Sequence, residues 1–283
     1  MSELKIRGAS NRPWESIKTD RVTMRKIPSW GWAAHRGAYM EGWPENSIPA
    51  LVRAKERGFA WSECDTKVTS DGVLVICHNA TITGLNADGV ETTLTIAEST
   101  AAEVCALRWG PYKRFGYIHP PTLDELLNAA YYAGVNVIIH GGGTADEGKQ
   151  IAQSVVRNGM VGRVIYLNTS SEVITAIAEV DRQAKWEYCM FGLPSESQIT
   201  SLAETAKTLN LAYCGMDLPG TTDDISATVE LMRQNGLGLS FWNITADNYA
   251  NCIQYKPTAI TLANDTVDFH AWEKEYLDTV KLW

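Results

Sequence analysis

Val135-Asn136-Val137-Ile138-Ile139-His140, a helical stretch near 146–158, then Arg163-Val164-Ile165-Tyr166-Leu167: on this stretch the reading of the fold turns. The two outer pieces are short, apolar and rich in β-branched residues, so each reads as a strand buried on both faces. A helix joining two such strands makes a βαβ unit with parallel strands. The alternation continues downstream, with strand-like runs at 186–191, 211–216, 237–242 and 258–262. Helical stretches near 170–181, 195–209, 222–235 and 246–253 separate them, and a last one covers 268–280. Upstream, Trp30–Ala34 is an apolar strand, Asn46 caps a helix running to about Arg57, and Phe59–Val68 is the next strand. The parallel strands total eight, the number that closes a (β/α)₈ TIM barrel, and 283 residues is a fitting length for one. In such a barrel chemistry sits at the C-terminal strand ends, where His35, Glu63, Asp65, His140 and Trp242 fall.

One strand lies outside that count. About five residues around Ser70-Asp71-Gly72 join Phe59–Val68 to Val73–Cys77, too few for a parallel crossover. The two strands therefore form a hairpin, and His78 arrives at its far end. Residues 79–121 then make a small insertion after the second barrel strand, weakly periodic and punctuated by glycine, with one helix over Ala97–Leu107. A segment of that length beside a site reads as a functional lid. Thr122 opens a helix to about Tyr132. Residues 1–28 are polar, carry Pro13 and Pro28, and read as an arm leading into a single domain over 29–283.

Composition removes several classes of function. The chain is 45% hydrophobic and 20% charged, with no 18-residue apolar run to span a membrane. A formal charge of −8 without Lys/Arg clusters argues against nucleic acid as a partner, although a locally positive pocket still suits a small anion. The six cysteines have neither CxxC nor zinc spacing and read as small core residues. Met1-Ser2-Glu3-Leu4-Lys5 lacks the apolar core of a signal peptide, so the default location is cytoplasmic.

The candidate chemistry begins at Ala34-His35-Arg36-Gly37. His35 is an acid or base that works near neutral pH, and Arg36 offers a planar fork suited to phosphate. Glu63 and Asp65 are two apart in a strand and share a face. Buried side by side they repel unless a cation lies between them or one is protonated, and a hard divalent ion, Mg²⁺ or Ca²⁺, resolves this. His78 follows 13 positions after Asp65. Trp30, Trp32 and Trp43 are candidates to line a pocket beside the site, or simply fill the barrel mouth. Tyr112, Lys113 and Arg114 read as a solvated loop before they read as added positive charge for a second phosphate, and His119 and His270 read as surface residues.

His35-Arg36-Gly37, Pro44-Glu45-Asn46-Ser47, Glu63-x-Asp65, Ser70-Asp71-Gly72-Val73 and Val75-x-Cys77-His78 resemble, in order and spacing, the glycerophosphodiester phosphodiesterase family. Pro121-Thr122-Leu123-Asp124-Glu125-Leu126-Leu127 and Phe241-Trp242-Asn243 resemble later segments of it. The resemblance implies a TIM barrel that hydrolyses glycerophosphodiesters to an alcohol and glycerol 3-phosphate with a divalent ion. It makes His35 and His78 the acid/base pair, Arg36 the phosphate ligand, Glu63 and Asp65 the metal ligands, and Trp242 the aromatic against the glycerol. It also implies attack by a glycerol hydroxyl next to the phosphate, giving a cyclic phosphate that water then opens. The chain departs from the family where a third metal-ligand Glu and a Lys two residues later usually stand: here they are Ile138 and His140. His140 is then a substrate-binding residue, a replacement ligand, a proton carrier or a filler in a dead site. The metal, held by two carboxylates, is expected to bind more weakly.

Two further readings stand beside the active enzyme. One is a catalytically impaired barrel that binds a glycerophosphate-type ligand or a cell-surface polymer, which Ile138 favours. The other is a barrel of the sphingomyelinase D type, which the His35-Arg36-Gly37 and Pro44-Glu45-Asn46 motifs disfavour. The partners implied are a small glycerophosphodiester or a glycerophosphate polymer. Because the family also occurs in surface and phage tail proteins, a module of such an assembly is the alternative location.

Overall fold

The computed structural model describes residues 31–39, 42–109, 118–262 and Ala271. The arm at 1–28, Trp30, Tyr112 to Arg114, His270 and, Ala271 apart, the helix expected over 268–280 lie outside them. The first half runs β1 (Trp32–Ala34), α1 (Ile48–Glu56), β2 (Trp61–Val68), β3 (Leu74–Ile76), β4 (Thr81–Leu85), β5 (Glu91–Thr95), α2 (Ala101–Ala106) and β6 (Arg108–Trp109). The second half alternates without interruption: α3 (Leu123–Ala133), β7 (Asn136–His140), α4 (Ala145–Arg157), β8 (Val164–Leu167), α5 (Ser171–Val180), β9 (Lys185–Cys189), α6 (Glu196–Thr208), β10 (Tyr213–Pro219), α7 (Ser226–Gln234), β11 (Gly238–Ile244), α8 (Ala246–Ile253) and β12 (Ala259–Leu262).

Strands pair in the order β1-β12-β11-β10-β9-β8-β7-β2, all parallel, and β2 pairs back onto β1. Eight parallel strands therefore close into the expected (β/α)₈ barrel. β3 returns antiparallel on β2, with Thr66 opposite Ile76 and Val68 opposite Leu74, which is the expected hairpin. The helices pack their apolar stripes on the outside of the strands, Ile151 and Val155 of α4 against Val173 and Ile177 of α5 among them. Thr122 opens its helix as expected, and Ser195 opens another. Thr122 of α3 and Ser195 of α6 close capping boxes with Glu125 and Gln198, a motif that satisfies two orphan N–H groups. No helix among the described residues is long and apolar enough to cross a membrane, and all six cysteines are free, five of them buried.

The barrel interior is layered. Ala33, Trp61, Ile138, Ile165, Leu167 and Cys189 form an apolar cluster. Beside it lies a polar one, where the Ser240 hydroxyl and the Tyr213 hydroxyl both donate to Oε1 of Glu187. Gly215 and Gly238 make room for it, since a Cβ on either would come within 2.4 or 2.3 Å of the Tyr213 hydroxyl oxygen.

Two local expectations need correction. Ser47, not Asn46, caps α1, its hydroxyl accepting from the Ala50 amide; the Asn46 side chain is used elsewhere. The insertion also holds more than a helix. β5, β4 and β6 form an antiparallel sheet of their own, and Ile82, Ile96, Val104 and Leu107 pack with Val75 and Cys77 into a separate small core. Its helix starts only at Ala101, where Thr100 forms a capping box with Glu103.

Candidate active site

The chain leaves β1 by a tight turn. Arg36 (φ 56°) and Gly37 (φ 81°) both lie in the left-handed region. A Cβ on Gly37 would sit 2.7 Å from the Cβ of Ala50 and 2.8 Å from its carbonyl carbon, so only glycine lets the loop lie against α1. The loop is pinned further by the Arg36 amide donating to Glu63 Oε2 (2.8 Å) and the Asn46 amide donating to the Arg36 carbonyl (2.8 Å). These bonds fix where His35 and the Arg36 side chain project.

Arg36 Nη1 donates to both oxygens of Glu45, at 3.2 and 3.1 Å, and its Nε lies 3.5 Å from Asp65 Oδ2. Asn46 clamps Asp65 twice, its Nδ2 donating to Oδ2 (3.0 Å) and its Oδ1 accepting from the Asp65 amide (3.0 Å). His140 Nδ1 is 3.2 Å from Asp65 Oδ1, and His35 Nε2 is 3.9 Å from Glu63 Oε2. His78 stands exposed on the rim, Nδ1 3.0 Å from Asn79 Oδ1. Trp242 is held by its Nε1–H on the Met190 carbonyl (3.0 Å) and meets Phe191 edge-on at 5.9 Å.

A cavity of about 200 Å³ unites these groups. His35, Arg36, Glu63, Asp65, His78, His140 and Trp242 all line it, with Leu167, Cys189, Phe191, Asp217, Asn243 and Thr261. All seven residues singled out from the sequence thus meet in one place. A larger depression of about 550 Å³ opens at the other end of the barrel, near Lys207, Tyr213 and Gly238, but it gathers no acid and no histidine.

The electrostatics follow from burial and neighbours. Burial, then the Asp65 charge, pushes Glu63 well up; burial also opposes ionisation of Asp65, but hydrogen bonds from His140 and Asn46 bring it below the usual range. Burial, then the adjacent Arg36, lowers His35 to about 4, leaving it neutral at pH 7. The two acids are therefore unlike, and a cation between them would relieve the strain of ionising both.

The donor set tests that idea. Glu63, Asp65 and His140 each offer one atom, all within 4.8 Å of one another, which suits a divalent ion. Ile138 pairs in register with Glu63 and supplies nothing, whereas His140, level with Asp65, places a nitrogen there instead. The residues therefore fit a metal. A second close group, Cys105, His119 and Glu125, lies outside this cavity. There Glu125 Oε2 already accepts from the Thr122 amide and hydroxyl.

The sequence reading missed the partners rather than the principals. Asn46 was read as a cap, Glu45 only as part of a motif, and Asp217 not at all, although a lone acid within the apolar run Cys214–Leu218 was a signal. Trp32 is buried and stacks on Tyr249 at 6.1 Å, so it fills the core and does not line the pocket. His119 is half-buried, its Nδ1 3.1 Å from the Pro120 carbonyl.

Among solved structures, the chain is similar to a glycerophosphodiester phosphodiesterase from Agrobacterium tumefaciens (TM-score 0.65, 19% identity, covering 83% of this chain and 96% of that one). It is similar to another from Parabacteroides distasonis (TM-score 0.64, 21% identity, 89% and 98% covered). A third is an Oleispira antarctica phosphodiesterase in complex with the product sn-glycerol-3-phosphate (TM-score 0.68, 17% identity, 87% and 96% covered). At these identities the likeness speaks to the fold, the same closed barrel. No curated protein matches by sequence. The profile of the glycerophosphoryl diester phosphodiesterase family, however, matches residues 35–261, from the first histidine of the cavity into the last barrel strand. On that match, which takes in most of the barrel, the chain belongs to the glycerophosphoryl diester phosphodiesterase family.

Proposed function

We propose that the protein is a metal-dependent phosphodiesterase that cleaves a glycerophosphodiester, small or polymeric, to an alcohol and glycerol 3-phosphate. The observation that carries this reading is the meeting of two histidines, one arginine and the Glu63, Asp65 and His140 donors in one small cavity. Residues 29–283 are read as one catalytic unit with 79–121 inserted in it.

The Arg36 guanidinium lines the cavity, with Nη1 held by Glu45 and Nε turned to Asp65, so its remaining N–H groups can take a phosphoryl oxygen. His35, neutral at pH 7, accepts the proton of the glycerol hydroxyl next to the phosphate as that oxygen attacks phosphorus. The nucleophile is already tethered, which removes most of the entropy cost of bringing it in. His78, on the rim, gives a proton to the departing alcohol oxygen. The two histidines exchange roles when water opens the resulting cyclic phosphate. Glu63, Asp65 and His140 would hold a divalent ion, which when bound neutralises charge on the phosphoryl oxygens. One nitrogen donor moves the preference from Ca²⁺ toward a softer ion such as Mn²⁺. The Trp242 ring offers the glycerol carbons an apolar face.

Ile138 supports a second reading, ligand binding without turnover, because the family's third carboxylate is missing. Release of glycerol 3-phosphate from glycerophosphocholine and from a glycerophosphate polymer separates the two, run with Mn²⁺, Mg²⁺, Ca²⁺ or EDTA. The expected result is ion-dependent release that disappears in a folded His35→Ala variant. No release with any ion, while glycerol 3-phosphate still raises the melting temperature, would replace catalysis by binding.

A further inference from the structure

We infer that Asp217 reads a free hydroxyl on the polyol part of the ligand, at the end remote from phosphorus, and so makes the site selective for polyols carrying that hydroxyl. The inference rests on the phosphodiesterase reading of the cavity and deepens it. Asp217 lies mid-strand in β10, is 3% exposed and lines the cavity. Its Oδ1 is buried without a hydrogen-bond partner. Such a group is costly to leave unpaired, so the missing donor is a question about the cavity.

The hydroxyl and indole donors beside it are already committed, and the Cys189 thiol, its register partner on β9, is only a weak donor. Ser240, its register partner on β11, gives its hydroxyl to Glu187, and the Tyr213 hydroxyl goes to the same oxygen. The Trp242 Nε1–H is held by the Met190 carbonyl. A strong donor for Asp217 Oδ1 therefore comes from whatever fills the cavity. It does not come from sharing an ion with the other acids, because the set of donors lying within 4.8 Å of one another contains Glu63, Asp65 and His140 and not Asp217.

Charge fixes which end of the ligand it meets. Phosphoryl oxygens are drawn to Arg36 and the two histidines and repelled by a carboxyl group. Asp217 must then face the uncharged end, beyond the hydroxyl that attacks phosphorus. A site built to hydrogen-bond a hydroxyl rejects an analogue that lacks it far more strongly than an apolar wall would.

The test compares glycerophosphocholine with 2-hydroxypropyl phosphocholine, which keeps the attacking hydroxyl and lacks the remote one. The wild type is expected to favour the glycerol compound on the order of 100-fold in kcat/KM. In Asp217→Ala that ratio falls to a few-fold, and the isosteric Asp217→Asn, still able to pair with a hydroxyl, recovers part of it. An unchanged ratio, or equal loss on both substrates, overturns the inference. Calorimetric binding of glycerol 3-phosphate against 2-hydroxypropyl phosphate reads the same discrimination without turnover. If the protein hydrolyses neither substrate, a ratio that depends on residue 217 in this assay still upholds the hydroxyl subsite, and a flat ratio refutes it.

Discussion

Glu187 offers a quantitative check on the barrel interior. It is 1% exposed, accepts from Ser240 and Tyr213, and burial pushes its pKa from 4.5 up to about 7. Between those values the folded protein keeps a proton that the unfolded chain has released. The unfolded state then binds fewer protons, so stability falls as pH rises through the window. A gap of about 2.5 pK units is worth about 3 kcal/mol once both states are past their pKa. Glu187→Gln has the same shape, keeps an oxygen for both donors, and carries no titratable group. Its advantage over the wild type should grow from under about 1 kcal/mol at pH 5 to about 3 kcal/mol at pH 8. Urea unfolding at pH 5, 6.5 and 8 measures this directly. In a thermal scan at pH 8 the variant should melt about 5 °C higher, given the usual unfolding entropy for a chain of this size. Parallel pH slopes for the two proteins, or a variant less stable at pH 8, would show that Glu187 is not carried as a neutral buried acid.

Two further variants probe the loops that aim the site. Asn46→Gly keeps the positive φ of 55° but removes both hydrogen bonds to Asp65; Mn²⁺ affinity by calorimetry should drop on the order of 10- to 100-fold, and unchanged affinity would detach Asp65 from metal binding. At Gly141 (φ 158°) an added Cβ would lie 1.8 Å from the Thr66 hydroxyl oxygen, so Gly141→Ala should cost about 1–3 kcal/mol in urea unfolding. Adding Thr66→Ala should return part of that loss, and strict additivity in the double-mutant cycle would contradict the contact.

The barrel was legible because most of its strands are short apolar runs separated by helical stretches. Val164–Leu167, buried at every position, is the clearest case. The small sheet of the insertion was not, since a strand such as Thr81–Leu85 fully buries only Ile82 and Gly84 and has no long period to read. Within the site, Glu63 and Asp65 declared themselves by their spacing. The partnership of Asp65 with His140 did not, because it depends on the register between β2 and β7. Asn46 was misread for a local reason: two good cap residues stand side by side, and only the tertiary position of Asp65 decides that Ser47 caps the helix. Asp217 was missed because one acid in an apolar run gives no sign of whether it points inward or outward.

The insertion leaves and re-enters the barrel at one spot. Val75 bridges to Thr122, and the Ile76 amide donates to the Pro121 carbonyl (2.8 Å), just before His78 departs. A segment whose ends meet, and whose apolar side chains pack on one another and on Val75 and Cys77 at its root, can be lengthened, shortened or exchanged over evolutionary time without disturbing the eight-strand framework. Of the two histidines, only His78 stands at the root of that exchangeable piece, one residue before it begins. On the proposed mechanism, descent could therefore remodel the surroundings of the departing alcohol in one lineage after another while the grip on phosphate, built into the framework, is inherited intact.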